Sequence, residues 1–170
     1  MKKLFLAIAI LMVLAVSKDM FAQQNTISAS ITAKGTVIQQ ITAQGTRALD
    51  FGTDLIGGVP TSVDKASANS GKFEITGKSS REINIDFDLP SNLSDGSGNN
   101  LAISFSSTDA GYVTDGSSMT AFNPSTGTSA NISATGTMEV YLGGTVSPTP
   151  NQVPGYYSGT IQINLQYTTN

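Results

Sequence analysis

The sequence predicts an all-β domain, an Ig-like β-sandwich of about eight to ten short antiparallel strands preceded by a cleavable signal peptide. Three observations carry this. Leu, Glu, Lys and Arg are scarce, and no stretch after the first 22 residues keeps the period of a helix. Ile, Val and Thr recur between clusters of Gly, Ser and Asn, which is the composition of strands and turns. Several runs alternate apolar and polar residues, the mark of a strand with one buried face.

Residues 1–22 read as the export signal. Lys2 and Lys3 form a basic start, residues 4–16 are an unbroken apolar run, and Ser17-Lys18-Asp19-Met20-Phe21-Ala22 ends on a small residue. The apolar run is shorter than the roughly 20 residues that a membrane span needs. Cleavage after Ala22 leaves residues 23–170 as one β-sandwich domain, with no membrane insertion expected.

The strands follow in order. Ile27, Ala29, Ile31, Ala33, Val37, Ile41, Ala43, Leu49 and Phe51 keep one parity, so two or three strands are expected here, with breaks near Gly35 and Gly45. Within this run Ile31-Thr32-Ala33-Lys34-Gly35-Thr36 recurs as Ile41-Thr42-Ala43-Gln44-Gly45-Thr46. One echo does not make a repeat architecture. A loop is expected around Gly57-Gly58-Val59-Pro60, then a short strand from Gly71 to Gly77. Ile83, Ile85, Phe87 and Leu89 alternate with Glu82, Asn84, Asp86 and Asp88 until Pro90 removes a ladder donor.

Residues 91–100 read as a polar loop with its tip at Asp95-Gly96-Ser97-Gly98-Asn99-Asn100. Leu101, Ile103 and Phe105 mark another strand. Residues 106–135 carry Tyr112, Met119, Phe122 and Ile132 as isolated apolar anchors among Ser, Thr, Gly and Asn. Residues 136–146 read as one strand ending at Gly143-Gly144. A Pro-rich turn follows, and residues 156–167 form the closing strand. Tyr157, Ile161, Ile163, Leu165 and Tyr167 lie on one face of it, with Thr160, Gln162, Asn164 and Gln166 on the other.

Composition narrows the function. The chain has no Cys, His or Trp and a net charge of −3. Loss of Lys2, Lys3, Lys18 and Asp19 with the leader makes the remainder more acidic still, which argues against nucleic acid or anionic membrane as partner. Disulfides and nucleophilic Ser-His or Cys-His pairs are ruled out. Gly71 to Ser79 has one residue too many for a phosphate loop and precedes a strand instead of a helix. Asp95 to Asn99 opens like a calcium loop, but Asn100 stands where that loop needs Gly, and Ser106 where it needs Glu. Asp86, Asp88 and Glu82 share a strand face at a spacing of about 7 Å per pair of residues. That spacing is compatible with a glycosidase carboxylate pair. No Trp accompanies them, and a solvated acidic face accounts for them. No catalytic residue, cofactor or metal site is assigned.

Leu49-Asp50-Phe51-Gly52, Gly71-x-Phe73-x-Ile75-x-Gly77, Leu142-Gly143-Gly144-Thr145 and Pro154-Gly155-Tyr156-Tyr157-Ser158-Gly159 give the chain a family resemblance. It resembles the exported bacterial proteins grouped as domain of unknown function 4402, from about residue 28 to Tyr167. The closing strand is also similar to those of fimbrial subunits and spore-coat-protein-U-like domains. It differs from many pilins in having no Cys pair and in carrying Thr168, Thr169 and Asn170 after Tyr167.

That resemblance implies an exported, non-enzymatic structural or adhesive protein of the periplasm, cell surface or extracellular space. It would be a fimbria-like subunit assembling by strand addition with itself or with related surface subunits, with a periplasmic chaperone as a further partner. The expected donor is residues 23–37, through Ile27, Ala29, Ile31 and Ala33, unless that run is the domain's own first strand. Tyr157, Ile161, Ile163, Leu165 and Tyr167 are the expected subunit or chaperone contacts. The alternative is an extracellular glycan- or protein-binding module using the loops near Gly57-Gly58, Asp95–Asn100 and 108–122.

Overall fold

Alternating Ile, Val and Leu side chains that must leave water draw the chain into an all-β sandwich. The computed structural model describes residues 31–35 and 37–168. The chain divides into two units, one ending at Thr36 and one starting at Val37. The described residues of the first belong to no strand and are exposed. The second holds twelve strands and no helix among the described residues.

The strands are β1 (Thr42–Arg47), β2 (Thr61–Val63), β3 (Gly71–Thr76), β4 (Glu82–Asp88), β5 (Asn92–Ser94) and β6 (Asn100–Ser104). They continue as β7 (Ala110–Val113), β8 (Thr120–Phe122), β9 (Thr128–Asn131), β10 (Thr137–Leu142), β11 (Gly144–Ser147) and β12 (Gln162–Tyr167). All described pairings are antiparallel, in three sheets ordered β1-β3-β10-β7-β8, β2-β11-β6-β5 and β12-β4-β9.

The first and third sheets face each other across the larger core. Ile75, Ala110, Phe122, Met138, Val140 and Leu142 come from the first sheet, and Ile83, Ile85 and Ala130 from the third. The alternation expected for β4 holds, since Ile83 and Ile85 are 0% exposed while Glu82, Asp86 and Asp88 face water. A smaller core of Leu101, Ile103 and Val146 lies on the second sheet, covered by Leu49, Phe51, Leu55, Leu93 and Tyr157. Phe105 packs against both cores.

Several expectations are corrected. Residues 136–146 are two strands, because the chain changes sheets at Gly143: β10 pairs with β3 and β7, and β11 with β2 and β6. A Cβ at Gly143 would fall on the carbonyl oxygen of Val63, so only Gly fits this corner. Alternation of side chains continues through the corner and hides it from the sequence. The stretch 91–100 contains a strand, β5, paired to β6.

The closing strand is shorter than expected. Ladder pairing between β4 and β12 runs from Ile83↔Tyr167 to Asp88↔Gln162, then resumes as a single bridge, Ser94↔Ser158. Pro90 lies on the β4 side of the gap and has no N–H to donate, which accounts for the interruption. Gly45 does not break a strand either. It sits inside β1, and the irregularity falls between Gly45 and Arg47.

Candidate functional site

The sandwich has two long edge strands. β1 closes one side of the first sheet and β12 one side of the third. They flank the same side of the molecule, since Ile41, just before β1, and the Tyr167 hydroxyl, at the end of β12, both pack against Gly77. A Cβ added there would come 3.5 Å from Ile41 Cγ1 and 2.7 Å from Tyr167 Oη. The Tyr167 hydroxyl accepts a hydrogen bond from the Lys78 N–H at 2.7 Å, which fixes the end of β12.

This side is left open by its own sequence. Ala43 is paired with Ile75 and Gly45 with Phe73, and directly opposed residues share a sheet face. Ile75 is in the core and Phe73 packs on Phe87, with ring centroids 5.9 Å apart. Ala43 and Gly45 therefore face the interior, yet both are exposed. Residues this small cannot cover what lies beneath. Phe73, Phe87, Ile163 and Leu165 remain half-buried, and Phe87 is the register partner of Ile163.

Four of the five expected contact residues lie together here: Ile161, Ile163, Leu165 and Tyr167 pack on the larger core. Tyr157 does not join them. It lies outside β12, against the smaller core, with its hydroxyl donating to the Val153 carbonyl at 2.6 Å and accepting from Gln152 Nε2 at 2.8 Å. Of the expected donor residues, Ile27 and Ala29 lie outside the described residues, as do residues 1–22, where an export signal is expected. Ile31 and Ala33 are exposed and in no strand.

Sequence reasoning missed a charged network on the outer face beside β1. Arg47, Lys72 and Tyr141 stand in register across β1, β3 and β10. Arg47 donates from Nε to the Ser70 carbonyl at 2.6 Å and from a terminal nitrogen to Ser70 Oγ at 2.7 Å. Its guanidinium and the Lys72 ammonium each lie 5.8 Å from the Tyr141 ring centroid. Lys72 also bridges Glu139 at 2.8 Å and Glu74 at 3.0 Å. Residues this far apart in sequence could not be joined before the strand order was known.

Hydrogen bonds from Lys72 and then Tyr141 hold the Glu139 carboxyl below the usual carboxylate range, while Glu139 in turn raises the Tyr141 phenol and the Lys72 ammonium. A carboxyl depressed in the folded state stabilises above its unfolded value, near 4.3, and loses that contribution as pH falls through the folded value. Glu139→Gln is therefore expected to narrow the drop in melting temperature between pH 7 and about pH 3. The pair is partly exposed, so the effect stays under about 1 kcal/mol. An unchanged drop refutes the assignment.

Other candidate chemistry is not assembled. Asp88 accepts from Asn164 Nδ2 at 3.1 Å and Glu82 from Thr168 Oγ1 at 2.9 Å, which matches a solvated strand face. The Asp95 carboxylate accepts from the N–H groups of Ser97 and Asn99 and from Asn99 Nδ2, so its own loop consumes it. Those interactions, Asn99 first, lower its pKa. Among the described residues no group of three acidic, His or Cys side chains could hold a metal ion. A shallow hollow of about 230 Å³ between Val113, Asp115, Gly116, Thr137, Met138 and Glu139 is smaller than the roughly 300 Å³ at which ligand pockets begin.

Of the three loops expected to carry contacts, two come together. The turn at Ile56–Val59 and the Asp95–Asn99 loop both adjoin the Pro-rich turn at one end of the second sheet, through Gly58 N–H to the Pro148 carbonyl and Gln152 Nε2 to the Asn100 carbonyl. Ile56, Val59, Val153 and Tyr156 are exposed there. The stretch 108–122 does not join them. Its turn at Asp115 meets Ala134 and Thr135 instead.

The fold and its surfaces thus define a β-sandwich whose prominent feature is an open strand edge. The chain belongs to the family described as "Domain of unknown function (DUF4402)", whose model matches residues 20–167. No curated protein matches it.

Proposed function

We propose that the chain is an exported, non-enzymatic structural subunit that assembles by strand addition at the cell surface. One observation carries this reading: Ala43 and Gly45 face inward and stay exposed beside half-buried Phe73, Phe87, Ile163 and Leu165. A long unpaired edge over a partly covered core is a liability that isolated domains usually block with charge, Pro or a covering segment. Here a partner strand is the economical cover. Main-chain hydrogen bonds give such a strand affinity, and its alternate side chains fix its register.

Residues 23–37 have the required pattern, with Ile27, Ala29, Ile31 and Ala33 on one face. A periplasmic chaperone would shield the same edge before assembly. Deleting residues 23–33 tests the reading. The expected product is a folded monomer that has lost the SDS-resistant, heat-labile ladders of the intact protein. Unfolding of the deleted chain would identify the run as the domain's own first strand and remove the case for donation.

A further inference from the structure

We infer that residues 31–36 are a duplicate of strand β1 and take its place against β3 in a second copy of this chain. The inference rests on the strand-addition reading and names its acceptor. Ile31-Thr32-Ala33-Lys34-Gly35-Thr36 differs from Ile41-Thr42-Ala43-Gln44-Gly45-Thr46 at a single position. The second of these sequences forms the edge strand β1, preceded by Ile41 packed on the core. The described residues of the first, 31–35, belong to no strand, and Ile31 is 97% exposed.

The side chains that matter for the exchange are preserved. Inward-facing Ile41, Ala43 and Gly45 have Ile31, Ala33 and Gly35 as counterparts. Gly35 matches Gly45, which faces the Phe73 ring and leaves it partly uncovered; a Cβ there would make only ordinary contact with the ring, at 3.7 Å. The one difference is outward. Gln44 is the register partner of Glu74, so Lys34 in its place sets an ammonium opposite a carboxylate.

Upstream, the duplicate has the more regular apolar–polar alternation in sequence. Ala29 stands where β1's own approach has Gln39, and Ser28 where it has exposed Ile38. Against the exchange stands Arg47, whose two hydrogen bonds to Ser70 have no counterpart in Val37. These bonds hold β1 in place in the isolated subunit. As an edge strand, β1 can be replaced with the loss of a single neighbour, β3.

A second copy is the donor that the chain length favours. Within one chain the exchange would force residues 37–48 into a closed loop ahead of Leu49, at an entropic penalty. Between copies the same residues become a linker reaching up to about 40 Å.

The absence of Cys makes the test direct. Purified Lys34→Cys and Glu74→Cys chains are mixed and treated with a short bismaleimide, and Gln44→Cys/Glu74→Cys serves as the intact-β1 control. The expected result is a covalent dimer from the mixture and a ladder from the Lys34→Cys/Glu74→Cys double variant. Linking Gln44→Cys to Glu74→Cys before assembly should abolish the SDS-resistant, heat-labile ladder that the same variant forms when unlinked. Linkage of 34 to 74 only within one chain, no linkage at all, or ladders that survive the locked control would each overturn the inference. Wild-type ladders without the 34–74 link leave strand addition standing with another acceptor. Ladders that persist after deletion of residues 23–33 defeat strand addition itself.

Discussion

Ile85→Ala is expected to lower the unfolding free energy by about 2–5 kcal/mol, a large part of what a domain of this size has. Ile85 is fully buried and sits on β4, the middle strand of the three-stranded sheet, with Leu165 opposite on one side and Thr128 on the other. Truncation removes its transfer free energy and leaves a cavity that hydrogen-bonded strands on both sides keep from collapsing. Urea unfolding gives the value directly. Ile85→Val is the graded control, at about 0.5–1.5 kcal/mol. If the Ala variant unfolds at the wild-type urea midpoint, Ile85 is not in the core described here.

Gly143→Ala is expected to be about as damaging by the opposite mechanism. The added methyl would meet the Val63 carbonyl oxygen and lie 2.8 Å from the Lys65 nitrogen, both main-chain atoms that cannot rotate aside. The Gly143 N–H is also tied to the Asp109 carbonyl at 2.7 Å, so the corner cannot swing away without losing that bond. Overpacking of this kind costs about 1–3 kcal/mol and occasionally more. Gly144→Ala should be milder, because its nearest neighbour is the movable ring of Phe105 at 3.1 Å. Equal urea midpoints for Gly143→Ala and wild type would disprove the change of sheet at this residue.

How much of this was legible in the sequence depended on whether local alternation decided the matter. β4 was readable because Ile83 and Ile85 alternate with Glu82, Asn84 and Asp86, and Pro90 stops the run. β3 and β6 were readable for similar reasons. The change of sheet at Gly143 was not, because alternation continues smoothly through it and only the approach of Val63 from elsewhere in the chain demands a glycine. The closing strand was overread for the converse reason. Tyr157 keeps the parity of Ile161 and Ile163, but its hydroxyl is held by Gln152 and Val153 and its ring belongs to the other core.

The candidate site was half legible. The apolar face of β12 could be read directly, whereas the openness of the side depends on small residues of β1 lying opposite Phe73 and Ile75. That pairing is visible only once the sheet order is known. The echo between residues 31–36 and 41–46 was plain in the sequence but meant little until one copy proved to be an edge strand and the described residues of the other, 31–35, were found outside the sheets.

The meeting of Ile41 and Tyr167 at Gly77 has a mechanical consequence. In a fibre built by the exchange inferred above, a neighbour's Ile31 would take the place of Ile41 at Gly77, and its strand would pull on β3 beside the anchored end of β12. The subunit's own linker enters the fold at Leu49, which lies beside Gly71 at the other end of β3, so the load would run along β3 between Gly71 and Gly77. The second sheet, which is not hydrogen-bonded to β3, would carry less of the pull.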